Sequence, residues 1–207
     1  MAIPNNEWVG EEQILEYYET AKSIDAHWET GGVALTFCVL FVTGARVSEA
    51  LALKVEHVRY DDKWITIDKL PVLKQKKGKT AMRTFIIPRY DILAEEFITY
   101  LNDAEREGRV YLIGGFTGKF SSESDMEKPA TRSLVYKRIS MISKNLWPHR
   151  VRDLRALHLA GKRKDGGYHF DVYAMKDWFG WKSVEMPAYY VGSGGVEKQR
   201  RAFEPES

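Results

Sequence analysis

Residues 147–190 read WPHRVRDLRALHLAGKRKDGGYHFDVYAMKDWFGWKSVEMPAYY. Pro148 followed by His149 marks a helix start, because proline fits the first helical turn. His149, Arg152 and Arg155 then recur at three-residue intervals, on one side of that helix. The stretch closes on the turn Gly180-Trp181 and the adjacent pair Tyr189-Tyr190. A histidine, one or more arginines and a tyrosine suit attack on a phosphodiester: the phenolic oxygen is the nucleophile and the cations hold the phosphoryl oxygens.

Two features of this stretch resemble the catalytic core of tyrosine recombinases, the family of phage integrases, Xer and Cre. Pro148-His149-Arg150-Val151-Arg152 has the form P-H-x-hydrophobic-R, and Trp181 of a Gly-Trp pair stands nine residues before Tyr190. The run FGWKSVEMPAYYV is most similar to archaeal integrase-like recombinases. Upstream, TGARVSEALAL (residues 43–53) resembles the T-G-x-R-x-x-E-x-x-x-L box of the same family at almost every fixed position. It is the most specific signal in the chain.

The resemblance implies a set of roles. Arg46 is the first catalytic arginine, a planar and permanently charged fork suited to two phosphate oxygens at once. Glu49, one turn on, is the acidic support residue; without the surrounding motif the pair would read as a surface i,i+3 ion pair. His149 and Arg152 form the family's H-x-x-R, and Trp181 stands where a second histidine is more usual. Tyr190 is the nucleophile, selected over Tyr189 by its spacing from Gly-Trp. A second register remains open, in which Arg152-x-x-Arg155 plays the H-x-x-R part. It shortens the gap to Trp181 from 29 to 26 residues but loses the Pro-His pair. In the preferred register Arg155 is a supporting residue that adds a phosphate contact. Either gap exceeds the family's usual one, so an insertion is expected at GKRKDGG.

Charge distribution points the same way. Net charge is only +2. Yet residues 71–83 hold five basic side chains and no acid, and residues 136–164 hold nine with a single acid, Asp153. Basic stretches in a balanced chain suggest a polyanion-binding face; solvated surface charge is the plain alternative. The family carries a catalytic lysine on a mobile hairpin. Lys74, 28 residues after Arg46, is the first choice here, and Lys76, on the same strand face, the second. Lys76, Lys77, Lys79, Arg83, Arg150, Lys162, Arg163 and Lys164 are the expected DNA contacts.

Apolar residues make up 44 % of the chain, as in a globular protein. Cys38, the one cysteine, lies in an apolar run and reads as a core residue. No Cys/His pattern suggests zinc. No apolar run reaches the roughly 18 residues of a membrane span, and no signal peptide is visible, so an intracellular, DNA-associated protein is expected.

Helices are expected over residues 11–23, 32–42, 46–53, 90–101, 131–143, 149–160 and 170–179, with a further short one at 196–203. Residues 64–67 alternate as a strand, and 72–76 and 82–87 flank a Lys77-Gly78-Lys79 hairpin turn. Lys137 and Arg138 are expected on an exposed helix face. The resulting fold class is mainly α with a small antiparallel three-stranded sheet. Residues 1–207 are expected to be a single catalytic domain, with arms at 1–9 and 193–207 and no N-terminal core-binding domain.

The resemblance implies a site-specific recombinase that acts on double-stranded DNA as a dimer or tetramer. It would break and rejoin strands through a 3′-phosphotyrosyl link, with no metal, nucleotide or other cofactor. The alternatives are relaxation of DNA in the manner of a type IB topoisomerase, and a catalytically inactive DNA-binding regulator on the same fold.

Overall fold

In the computed structural model, every side chain of helix α2 (Val33–Thr43) is buried, and helices from the rest of the chain pack around it. A helix apolar on all sides belongs in the interior. The structure describes residues 10–27, 32–72, 81–114, 127–161 and 170–192. Helix α1 (Glu11–His27) buries Ile14, Tyr18 and Ala21 against α2 and reaches back to start it. The N-cap, Gly32, has no side chain to offer, and the Asp25 carboxylate instead accepts from the Val33 and Ala34 N–H groups, each at 2.9 Å.

Gly44 ends α2 in a left-handed conformation, φ 57°. A Cβ there would stand 2.5 Å from the Phe179 ring, so both backbone and space require glycine. Gly44→Ala is expected to lose about 1–3 kcal/mol from backbone strain alone, with the clash adding to it. Denaturant unfolding of the variant measures the loss.

The short helix α3 (Val47–Leu51) follows, and a single 3₁₀ turn (Val55–His57) leads into the sheet. Strands β1 (Val58–Tyr60), β2 (Trp64–Val72) and β3 (Ala81–Pro88) pair antiparallel in the order β1-β2-β3. Strand β1 has no motif of its own in the sequence; three residues are too short for a visible alternation. A bulge between Ile67 and Leu70 lets Ile65, Ile67 and Leu70 all face the core. The expected hairpin turn lies outside the described residues.

Helix α4 (Ala94–Arg106) begins four residues later than its periodicity suggests, because Leu93 adopts φ 61° and residues 91–93 form a turn that carries Asp91 inward. Helices α5 (Arg132–Ile142), α6 (Pro148–Ala160) and α7 (Val172–Phe179) stand where the sequence placed them. Asp171 caps α7 through the Tyr173 and Ala174 N–H groups. Arg138, expected on an exposed face, is buried and donates to Thr36 Oγ1 at 3.2 Å.

The last described element was not expected. Helix α8 runs Glu185–Gly192. Pro187 falls in its first turn, where the missing N–H has no intrahelical acceptor to lose. The expected tail helix at 196–203 and the expected insertion at GKRKDGG, beyond its first residue Gly161, lie outside the described residues. None of the described helices is long and apolar enough to cross a membrane.

Candidate active site

Three arginines from three elements converge on one carboxylate. Glu49, on α3, is 1 % exposed. Arg46 caps α3 and reaches it twice, through its backbone N–H at 3.0 Å to Oε2 and through Nη1 at 2.8 Å to Oε1. Arg83 arrives from β3, with Nη2 3.2 Å from Oε2. Arg152 arrives from α6, with Nη1 3.9 Å from the same oxygen. The Arg152 guanidinium is fixed further by donating to the Gly44 and Phe179 carbonyl oxygens, the latter at 2.9 Å. Arg83 likewise donates to the Trp178 carbonyl.

Among the described residues, three positive charges thus share the single carboxylate of Glu49. Burial lowers the Arg152 pKa to about 9, and the nearby Arg46 and Arg83 charges add to that shift. Burial lowers Arg83 to about 10, with Glu49 opposing and Arg46 reinforcing the shift. Both buried guanidiniums, Arg83 and Arg152, remain charged at neutral pH. Arg46, at 26 % side-chain exposure, is the arginine that opens to solvent. A planar guanidinium that is partly open to solvent can take an oxyanion on two N–H groups at once.

An aromatic stack connects this cluster to the tyrosine pair. The Arg152 guanidinium carbon lies 4.7 Å from the Phe179 ring centre and 5.6 Å from that of Trp181. Trp181 stacks on Phe179 at 4.5 Å and on Tyr190 at 5.5 Å, nearly parallel to the latter. Successive residues on a helix diverge by about 100°. Tyr190 accordingly turns inward, at 7 % exposure, while Tyr189 stays half-buried and meets it edge-on at 5.5 Å. The Tyr190 hydroxyl donates to Asp153 Oδ1 at 2.6 Å. Burial and the Asp153 carboxylate push the Tyr190 pKa well above that of a free phenol. His149 Nε2 lies 4.0 Å from the same carboxylate oxygen, with its ring 64 % exposed.

The two registers on α6 separate in space. Each three-residue step on an α-helix rotates back by about 60°. His149 therefore lies at the surface and Arg152 at the Glu49 cluster, while Arg155 has turned into the core. Arg155 was expected to touch phosphate, but it is fully buried. It pairs with Asp91, bonds His158 Nδ1 at 3.1 Å, and lies against Phe41 and Trp178. His158 in turn reaches Glu11 at 3.1 Å, so Arg155 ties α6 to α1 and to the turn before α4.

Arg83 was expected among the DNA contacts and is buried as well. The pleat puts it on the inward face of β3 with Phe85 and Ile87, a placement already visible in the alternation Arg83-x-Phe85-x-Ile87. Arg150 is partly exposed on α6. Lys74, Lys76, Lys77, Lys79, Lys162, Arg163 and Lys164 lie outside the described residues. Asp153 carried no motif and was not anticipated at the site.

The sequence model of the phage integrase family matches residues 7–194. The chain belongs to the phage integrase family. No curated protein matches this integrase-family chain in sequence. Among solved structures it is similar to the XerA recombinase, with a TM-score of 0.63 at 18 % identity over 100 % of this chain and 68 % of that one. It is similar to the XerH site-specific recombinase in a pre-cleavage complex with difH substrate, with a TM-score of 0.60 at 19 % identity over 95 % and 53 %. A lambda integrase dimer bound to a core site gives a TM-score of 0.54 at 16 % identity over 90 % and 61 %. The chain thus spans about half the length of the XerH recombinase. At these identities the likeness establishes the fold: a helical domain with a small three-stranded antiparallel sheet, shared with tyrosine recombinases.

Proposed function

We propose that this chain is the catalytic part of a site-specific DNA recombinase, which cuts and rejoins strands through a 3′-phosphotyrosyl intermediate on double-stranded DNA, as a dimer or tetramer. The observation that carries the proposal is the convergence of Arg46, Arg83 and Arg152 on Glu49, with Tyr190 stacked against the Trp181 ring that Arg152 faces. Family membership and the DNA complexes of XerH and lambda integrase support it.

In this reading Tyr190 attacks the scissile phosphorus and releases a 5′-hydroxyl. Arg46 and Arg152 hold the non-bridging oxygens and stabilise the charge of the pentacoordinate transition state. Glu49 and Arg83 set the orientation of both arginines. His149 assists by hydrogen bonding and proton transfer, and Trp181, in place of the more usual second histidine, offers an indole N–H donor. Lys74 protonates the leaving oxygen. The phosphotyrosine conserves the energy of the broken bond, so a second 5′-hydroxyl reverses the step and rejoins the strands without a metal or nucleotide.

The test is covalent trapping. A pool of nicked suicide duplexes, randomised around the nick, is expected to yield an SDS-resistant protein–DNA adduct; its absence across the pool would overturn the proposal. The general acid has a separate test. Lys74→Ala is expected to lose about 10²–10⁴ in cleavage of normal DNA. It should recover on a 5′-bridging phosphorothioate, whose thiolate leaves without protonation. Arg46→Ala should not recover there, since the non-bridging oxygens still need neutralising. Recovery of Lys76→Ala instead would move the acid by two residues, and recovery of neither variant would remove it from the hairpin.

A further inference from the structure

The proposed reaction needs an acceptor for the Tyr190 phenolic proton. The Asp153 Oδ1 lies 2.6 Å from the hydroxyl, within the 2.6–3.2 Å or so that a general base requires. The carboxylate is 14 % exposed, so water competes little for the contact. Asp153 directly follows Arg152 on α6 and lies one turn beyond His149. It is also the single acid among the nine bases of residues 136–164.

We propose that Asp153 is the general base for Tyr190. This rests on the reading of Tyr190 as nucleophile. In the step, the Tyr190 O–H bond breaks and its proton passes to Asp153 Oδ1, while the phenolic oxygen bonds to phosphorus. The bond from phosphorus to the 5′-oxygen breaks, and that oxygen takes a proton from the general acid. Rejoining runs the same transfers backwards, and Asp153 returns its proton to the tyrosine.

The energetics explain why the base acts only on demand. A free phenol is about six pKa units weaker as an acid than a carboxylic acid. Asp153 therefore does not ionise Tyr190 at rest; burial and the carboxylate hold the phenol protonated. As the oxygen bonds to phosphorus its proton becomes strongly acidic, and transfer to a carboxylate already in contact turns favourable. Among the described residues, the groups facing the pair include His149 and Arg152 from α6 and Tyr189 from α8. The Arg152 charge favours the phenolate.

The experiment uses the full chain and a suicide duplex recovered from the randomised pool, and it varies the acidity of the nucleophile. Asp153→Asn is expected to slow covalent attachment about 100-fold or more with DNA binding retained. Asp153→Glu, which keeps a carboxylate, should retain more of the rate. A ring-fluorinated tyrosine at position 190 is a stronger acid and needs less help. It should restore most of the Asp153→Asn loss and fail to restore Arg46→Ala. An Asp153→Asn protein that attaches at the parent rate, or whose loss the fluorinated tyrosine leaves untouched, would overturn the assignment of Asp153 alone. Attachment by Tyr190→Phe, read in the same assay, would instead overturn the assignment of Tyr190.

Discussion

Tyr190→Phe is expected to abolish covalent attachment to DNA while leaving binding nearly intact. The substitution removes one oxygen, the proposed nucleophile, and keeps the ring that stacks on Trp181. Affinity for DNA comes mainly from phosphate contacts by basic side chains, and one hydroxyl adds little to it. Gel shift and SDS-resistant adduct, measured on one preparation, separate the two effects. Tyr189→Phe is the control. Tyr189 lies on the same helix, edge-on to Tyr190, and its substitution should leave attachment close to the parent level. The reverse pattern would move the nucleophile by one residue.

Arg46→Ala and Arg152→Ala should each slow cleavage by about 10²–10³, as loss of one transition-state donor typically does. Arg155→Ala should behave differently in kind. Its guanidinium is fully buried and paired with Asp91, so its removal leaves a buried carboxylate without that cation, at a cost of about 3–5 kcal/mol. The expected signature is a lower unfolding midpoint. Whatever fraction of Arg155→Ala remains folded should cleave far faster than Arg152→Ala. A stable but cleavage-dead Arg155→Ala, beside an active Arg152→Ala, would transfer the H-x-x-R role to Arg152-x-x-Arg155.

These expectations divide between what one-dimensional patterns hold and what they do not. The all-apolar run of α2, the Gly44 stop and the Arg46–Glu49 spacing were legible, because helix periodicity and a left-handed cap are local properties. The inward face of Arg83 was legible too, but positive charge in a basic stretch suggested a surface and outweighed the pleat. Arg155 shows the limit of three-residue spacing: over six residues the helix has turned by about 120°, enough to carry a side chain from the site into the core. Helix α8 stayed hidden because Pro187 reads as a stop when its position within the first turn is unknown. Asp153 was legible only as an exception to a charge run. Its partner lies 37 residues away on another helix, and no local spacing joins the two.

The most direct measurement is the chemical identity of the link. Trypsin should release residues 183–198 as one peptide carrying both tyrosines, so fragmentation must decide between them. Adduct formed on a suicide duplex in the presence of EDTA, digested with nuclease and trypsin, is predicted to carry a 3′-phosphonucleotide on Tyr190. A nucleotide on Tyr189, on any other residue, or an adduct that forms only with a divalent metal would contradict the account.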